Sequence, residues 1–318
     1  MKSMHITRYE ATQHRAVWDA GVRRASNGLF MFERAFMDYH ADRFVDYSLL
    51  FWEQGQLVAL LPAHLTAEGI LASHDGLTFG SFLWFPEVSL STLLACFEAL
   101  CQFGKQQGWQ GVRYKTIPFF YHRKAAQADS YALFLQQATF VDVQPNVVIR
   151  LREGLHFTKR KERSVRKAQK NGLVYRENQA DWAGYWADIL IPNLANRYER
   201  KPVHSAAEIQ LLREAFPLNI RLFEAHCPEQ GLCAGIVIFE NPPVAHAQYI
   251  AASTVGKQKA ALDGLLFFLL QEVYNDFAYF SLGIVTDQAG KLNEGLLAWK
   301  EGWGGGIVPN YHSFISLK

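Results

Sequence analysis

PEQGLCAGIVIFENPPVAHAQYIAAS, Pro228 to Ser253, is the stretch on which the reading of the chain turns. A Pro-Glu-Gln-Gly turn enters the apolar run Leu232–Asn241, an Asn-Pro-Pro turn reverses the chain, and Val244–Ser253 alternates as a strand does. WEQGQLVALLP, from Trp52, places the same kind of turn before the same kind of strand, over Gln56–Leu65. Each copy then continues in one order of strand, long helix, short strand, helix, strand. In the first half these are a run from Ile70, a helix over Leu90–Gln107, a strand over Gly111–Lys115, a helix over Ser130–Gln137 and a strand over Phe140–Leu151, broken at Pro145. In the second they are Val244–Ser253, an apolar helix over Leu262–Asp276, a strand over Tyr279–Ile284, a helix over Asn293–Glu301 and a last strand over Ile307–Leu317. The shared order reads as an internal duplication.

Composition bounds what two such copies can do. At 318 residues the length favours two cores, and 49% hydrophobic with 14% aromatic residues excludes a disordered chain. The net charge of +2 supplies no field for DNA or anionic lipid, so any basic function must be local. The N-terminus lacks the apolar core of a signal peptide, and no run reaches the roughly 18 apolar residues of a membrane span, so a cytoplasmic protein is expected. Cys227 and Cys233 flank a turn beside His226, but tetrahedral zinc wants a fourth ligand that the pattern lacks, so no metal is expected.

The order of elements, with PVHSAAEIQLL at Pro202, AHAQYIAAS at Ala245, GKQKAALDGLLFFLL at Gly256, FSLGIVT at Phe280 and KLNEGLLAWKEGWGG at Lys291, resembles the GNAT acyltransferase fold. SHDGLTFGSFLW at Ser73 and YHRKAAQADSYALF at Tyr121 extend the likeness to the first half. Two copies in tandem look like Fem-type (FemAB-like) peptidyltransferases and their GNAT relatives in polysaccharide and amino-sugar pathways. The resemblance implies an α/β (α+β) chain of two tandem GNAT-like domains with mixed, mainly antiparallel sheets. Domains are expected over residues 1–152 and 173–318, joined by a basic helix over 153–172, with the reaction centre in the second. It implies an acyl group carried by acetyl-CoA or another acyl-CoA, and an amine acceptor such as an amino-sugar nucleotide. The coenzyme A loop of single-domain relatives is replaced here by STVGKQKAALDG; Fem-type enzymes lack that loop and use aminoacyl-tRNA, which is the second reading. A non-catalytic GNAT-like binding module is the third.

Several residues fit such chemistry. The loop before the long helix points N–H groups outward, and Gly256, Lys257 and Lys259 suit phosphate oxygens, or are a lysine-rich solvated loop. On Val244–Ser253 a period of two puts His246 and Gln248 on one face with Ile250, and Ala247, Tyr249 and Ala251 on the other. A base for amine attack works best with a pKa near 7, which selects His246; a hydrogen-bonded core histidine is the bland alternative. Tyr249 would give a proton to the leaving thiolate if the strand twists it inward. Asp263 in the first turn of the long helix, and Asn293 and Glu294 at the start of the next, have capping explanations, while the resemblance sets LNEGL at the cleft edge. His74 and Asp75 close the third strand of the first copy, as groove lining or as a turn.

Between the copies lies FTKRKERSVRKAQKNG, with seven Lys or Arg and one Glu between Thr158 and Lys170. As a helix it shows Lys159, Arg163, Arg166 and Lys170 on one face, and Phe157, Val165 and Ala168 as a thin apolar stripe that docks weakly. Without an aromatic platform after Phe157 it suits phosphate better than general RNA, with Arg163 and Arg166 as contacts, or it is a solvated linker.

Overall fold

The computed structural model describes residues 4–180, 182–198, 201–287 and 289–318, with the backbone alone at 196–198. The chain forms two compact units, one of residues up to Gln144 together with Pro309–Lys318, the other Pro145–Val308. The expected boundaries at 152 and 173 therefore move. Strand β8 (Thr139–Arg150) runs through Pro145 without a break and gives its second half to the second unit. The final strand, β14 (Gly306–Ser316), gives its end to the first unit by pairing with a strand far upstream. The basic helix belongs to the second unit.

In the first unit, β1 (Met4–Arg8), β2 (Leu49–Glu53), β3 (Gln56–Leu61) and β6 (Leu83–Trp84) form an antiparallel sheet in the order β1-β2-β3-β6. The run expected over Gln56–Leu65 is two strands, because β4 (His64–Leu65) turns away to pair with β5 (Ile70–Ala72), which lies parallel to β7 (Gly111–Lys115). Helices α1 (Ala11–Arg24) and the short α2 (Arg34–Met37) lie near the N-terminus, α3 (Leu90–Gln106) connects β6 to β7, and α4 (Ala128–Leu135) follows β7. Ser89 caps α3 by accepting from Thr92 N–H at 3.2 Å, and Leu93, Cys96, Phe97, Leu100 and Cys101 supply its buried face. Phe82 packs 4.8 Å from Phe51 and 4.7 Å from Phe97, centroid to centroid, in the middle of this core.

The second unit holds a sheet in the order β8, β13 (Tyr279–Ile284), β12 (Val244–Ala252), β11 (Gly231–Asn241), β10 (Ile220–Cys227), β9 (Val174–Asn178). Its pairs are antiparallel except β12 with β13. Around it lie α5 (Lys159–Lys170), α6 (Ile191–Tyr198), α7 (Ala206–Ala215), the one-turn α8 (Thr254–Gln258), α9 (Ala261–Phe268) and α10 (Glu294–Glu301). Ser205 and Glu208 form the capping box at α7.

Helix α5 docks firmly, contrary to the thin stripe read from its sequence, since Lys161, Val165 and Ala168 are all buried and α9 packs against them. Gly264 permits the approach: a Cβ there would lie 2.7 Å from the Ala168 Cβ and would also meet the Tyr175 hydroxyl. Gly264→Val is expected to cost about 1–3 kcal/mol of stability through that overpacking. Urea unfolding checks this, and an unchanged midpoint would show that the helices have room to spare. No helix among the described residues is long and apolar enough to cross a membrane.

Candidate functional site

The two parallel strands of the second unit pair over three registers, Val244 with Tyr279, Ala245 with Phe280 and His246 with Ser281, and then part. Both strands carry an irregularity just beyond the last pair. The β11 register skips Gln248, and the β8 register skips Leu282, after which Gly283 sits at φ +80°. A bulge bends its strand and raises its twist, so bulges on both sides of one junction open a fork. The edge of β12 from Ala247 to Ala252 is left without a β13 partner.

Past Ser281, β13 keeps β8 as its neighbour through Gly283 and Ile284 while β12 diverges from it. Lys300, on α10, fills the gap: its Nζ donates to Gly283 O at 3.0 Å and to Ile284 O at 2.8 Å. The side chain is buried, and burial with no carboxylate to offset it pulls its pKa down to about 7. At the base of the fork, Ser281 Oγ donates to Asn146 Oδ1 at 3.1 Å and so accepts from His246 Nδ1 at 2.9 Å. That assigns the proton of the neutral imidazole to Nδ1 and leaves Nε2 with its lone pair. Burial, with the Lys300 ammonium adding to it, depresses His246 to about 4.

A cavity of about 290 Å³ opens along the unpaired edge. Ile250, Ala251 and Ala252 form one wall, Gly256, Lys257, Ala260, Leu262 and Asp263 another, and Leu296, Trp299 and Arg160 close it. The first turn of α9 faces it with no side-chain cap on its N–H groups, and Ala260 before it is left-handed at φ +59°.

Several expectations are corrected here. The bulge at Gln248 reverses the alternation beyond it, so Ala245, Ala247, Ile250 and Ala252 pack towards α9 while Tyr249 turns with His246 to the opposite side. There Tyr249 stacks edge-on to Trp186, and its hydroxyl bonds His204 Nδ1 at 2.7 Å and accepts from His204 N–H, so it is not poised over a leaving group. His246 lacks the near-neutral pKa that selected it; among the fork residues Lys300 has one. Gly256 N–H is taken by Ser253 Oγ at 3.0 Å, and a Cβ on Gly256 would strike the Cys233 carbonyl, so this glycine serves packing while lining the cavity. Lys257 lines the cavity, whereas Lys259 does not, and its pKa is raised chiefly by the neighbouring Cys227. Asn293 is spent as the cap of α10, accepting from Leu296 N–H at 2.9 Å, and Glu294 is exposed in the first turn. Asp263 borders the cavity but is neutralised by Lys161 at 2.6 Å and by the Ser164 hydroxyl. Arg163 lines an adjoining cavity, and Arg166 pairs loosely with Glu162 at 3.4 Å.

His74 and Asp75 belong to a cluster within the first unit. His74 is buried, stacks 4.9 Å from His40, and sits at φ +51°. Asp75 pairs with Arg113 at 2.9 Å. The parallel pair of that unit, β5 with β7, is closed where the other is open. Gly80 bridges back to Lys115, and Lys115 Nζ donates to Leu77 O at 2.6 Å, so the segment 73–80 fills the opening. A larger cavity in the first unit, about 650 Å³, is walled by α1, β3 and the start of α3 and takes nothing from the parallel pair.

The sequence reading missed Lys300, Ser281, Asn146 and Trp299. One signal was present: Leu296, Leu297 and Lys300 share a helical face, which sets a lysine on an apolar stripe. Asn146 and Ser281 are 135 residues apart, and only strand pairing joins them.

No family model and no curated protein sequence matches this chain. Solved structures do. The chain is similar to FemX, with a TM-score of 0.67 at 10% identity over 98% of this chain and 97% of that one. It is similar to a tandem GNAT protein from the clavulanic acid biosynthesis pathway, with a TM-score of 0.54 at 9% identity over 98% of each chain. It is also similar to L-PGS from Bacillus licheniformis, with a TM-score of 0.56 at 10% identity over 82% of each. The chain has the tandem GNAT fold, of the mixed α/β kind that FemX shares.

Proposed function

We propose that the protein is an N-acyltransferase whose reaction centre is the fork of the second unit, with acyl-CoA, foremost acetyl-CoA, as donor. The carrying observation is the separation of β12 from β13 beyond His246 with Lys300 in the gap. The edge of β12 beyond His246 has no β13 partner and runs at strand spacing, which suits the amide-bearing pantetheine arm as an added strand. Lys257, Arg160 and the uncapped start of α9 suit its pyrophosphate. The closed opening in the first unit supports placing the chemistry in the second.

In the reaction the acceptor nitrogen attacks the thioester carbonyl, the carbon–sulfur bond breaks, and the thiolate takes up a proton. A lysine with a pKa near 7 gives its proton to the thiolate and is recharged, through water, by the proton that the acceptor nitrogen sheds as the amide forms; before that transfer its charge stabilises the developing oxyanion. His246, neutral with a free Nε2, is suited to accept a hydrogen bond from the incoming amine rather than to hold its proton. The acceptor is read as a small amine that bears phosphate, such as an amino-sugar nucleotide.

A second reading has specific support. The likeness to FemX, and the exposed cations of α5, favour a Fem-type transfer from aminoacyl-tRNA. Calorimetric titration with acetyl-CoA, a longer acyl-CoA and a charged tRNA in parallel separates the two. Saturable binding of acetyl-CoA, with thiol release that requires an added amine, is expected; binding of charged tRNA alone would replace the first reading with the second.

A further inference from the structure

Helix α5 walls a second cavity, about 260 Å³, beside the first. Arg160, Asp263 and Trp299 are common to both, so the two form neighbouring compartments around one partition. Arg160, Arg163 and Lys167 recur at helical spacing along this face, and Arg163 also belongs to the expected basic face of Lys159, Arg163, Arg166 and Lys170, which lies alongside it. The carboxylate in the partition, Asp263, is consumed by Lys161 and Ser164, and Glu162 pairs with Arg166. Arg160, Arg163 and Lys167 therefore carry an excess of positive charge into this compartment. Lys161, which is buried, also lies 4.2 Å from the Trp299 ring centroid and helps to hold that partition in place.

We propose that this compartment takes the phosphorylated adenosine end of the donor, and that Arg163 and Lys167 hold its 3′-phosphate. The inference rests on the acyl-CoA reading. Counted from the thioester, coenzyme A carries a pantetheine arm, a pyrophosphate and then an adenosine bearing a 3′-phosphate. If the pyrophosphate lies at Lys257 and the start of α9, the adenosine comes next along the same wall. Two cations on a dianionic phosphate make charge-assisted bonds, stronger than neutral ones, so a preference for the 3′-phosphate follows.

The test compares equilibrium binding of CoA, 3′-dephospho-CoA and an RNA microhelix ending in CCA, using the wild type and Arg163→Gln/Lys167→Gln. Both substituted residues are exposed, and thermal unfolding verifies that the variant folds. The wild type is expected to bind CoA about 10- to 100-fold more tightly than 3′-dephospho-CoA. In the double variant that ratio should fall to about 1. Equal affinities in the wild type, or a preference that survives in the variant, would overturn the assignment and leave the donor reading standing. Failure of both coenzymes to bind would remove the donor reading itself. Microhelix binding that is lost in the variant while CoA is unaffected would hand the compartment to RNA.

Discussion

Lys300→Met is expected to lower kcat by about 10²- to 10³-fold with little change in KM for the acyl donor. The fork contains an ammonium that donates to two carbonyls and has a pKa of about 7. Methionine fills similar space but carries no proton and no charge, so the loss falls on the transition state. A purely structural lysine would lower stability without a kinetic signature. The pH profile distinguishes the cases: wild-type kcat should decline above about pH 7 as Lys300 loses the proton the thiolate needs. Lys300→Arg keeps its charge across the range and should abolish that decline even where kcat is reduced. Retention of kcat within threefold in Lys300→Met would end the assignment.

Asp129→Asn tests the first unit and is read as stability against pH. Asp129 is buried, accepts from the Tyr114 hydroxyl at 3.1 Å, and is pushed by burial from an ordinary 3.8 to about 7. Its folded pKa lies above its unfolded one. The stability it contributes is therefore fully present below about pH 4 and is lost as the pH rises through about 7, because folding must then hold a proton that the unfolded chain has released. At about 1.4 kcal/mol per pH unit the loss across that window is about 4 kcal/mol. Asparagine stays neutral and keeps an acceptor for Tyr114, so the variant should match or exceed the wild type at pH 7 and show a flatter profile. Denaturation midpoints from pH 4.5 to 7.5 measure the difference, and parallel profiles would show that Asp129 remains ionised in the fold.

The two sites differ in how far a sequence announces them. Lys257 and Asp263 were found because a loop opening a strong helix is a local feature, and the cavity does lie against them. His246 was found because a histidine in an apolar strand is conspicuous, yet its pKa depends on enclosure and on Lys300, which period alone does not show. Tyr249 was misplaced because a single skipped residue at Gln248 inverts every face beyond it. Nothing local marks that bulge: Ala-Gln-Tyr is ordinary strand composition, and the register is set by β11.

Local pattern determined the elements and their twofold order: turns at Glu-Gln-Gly, caps at Ser89 and Ser205, apolar periods in α3 and α9. These depend on neighbours within a few residues, where backbone sterics and side-chain spacing act directly. Tertiary structure alone decided that β8 and β14 are shared out between the units, that one parallel pair opens while the other is filled by residues 73–80, and that a lysine donates to the carbonyls beside the open one. Those outcomes depend on which strand edges lose their hydrogen-bond partners, and such edges must be satisfied from wherever the folded chain brings a donor.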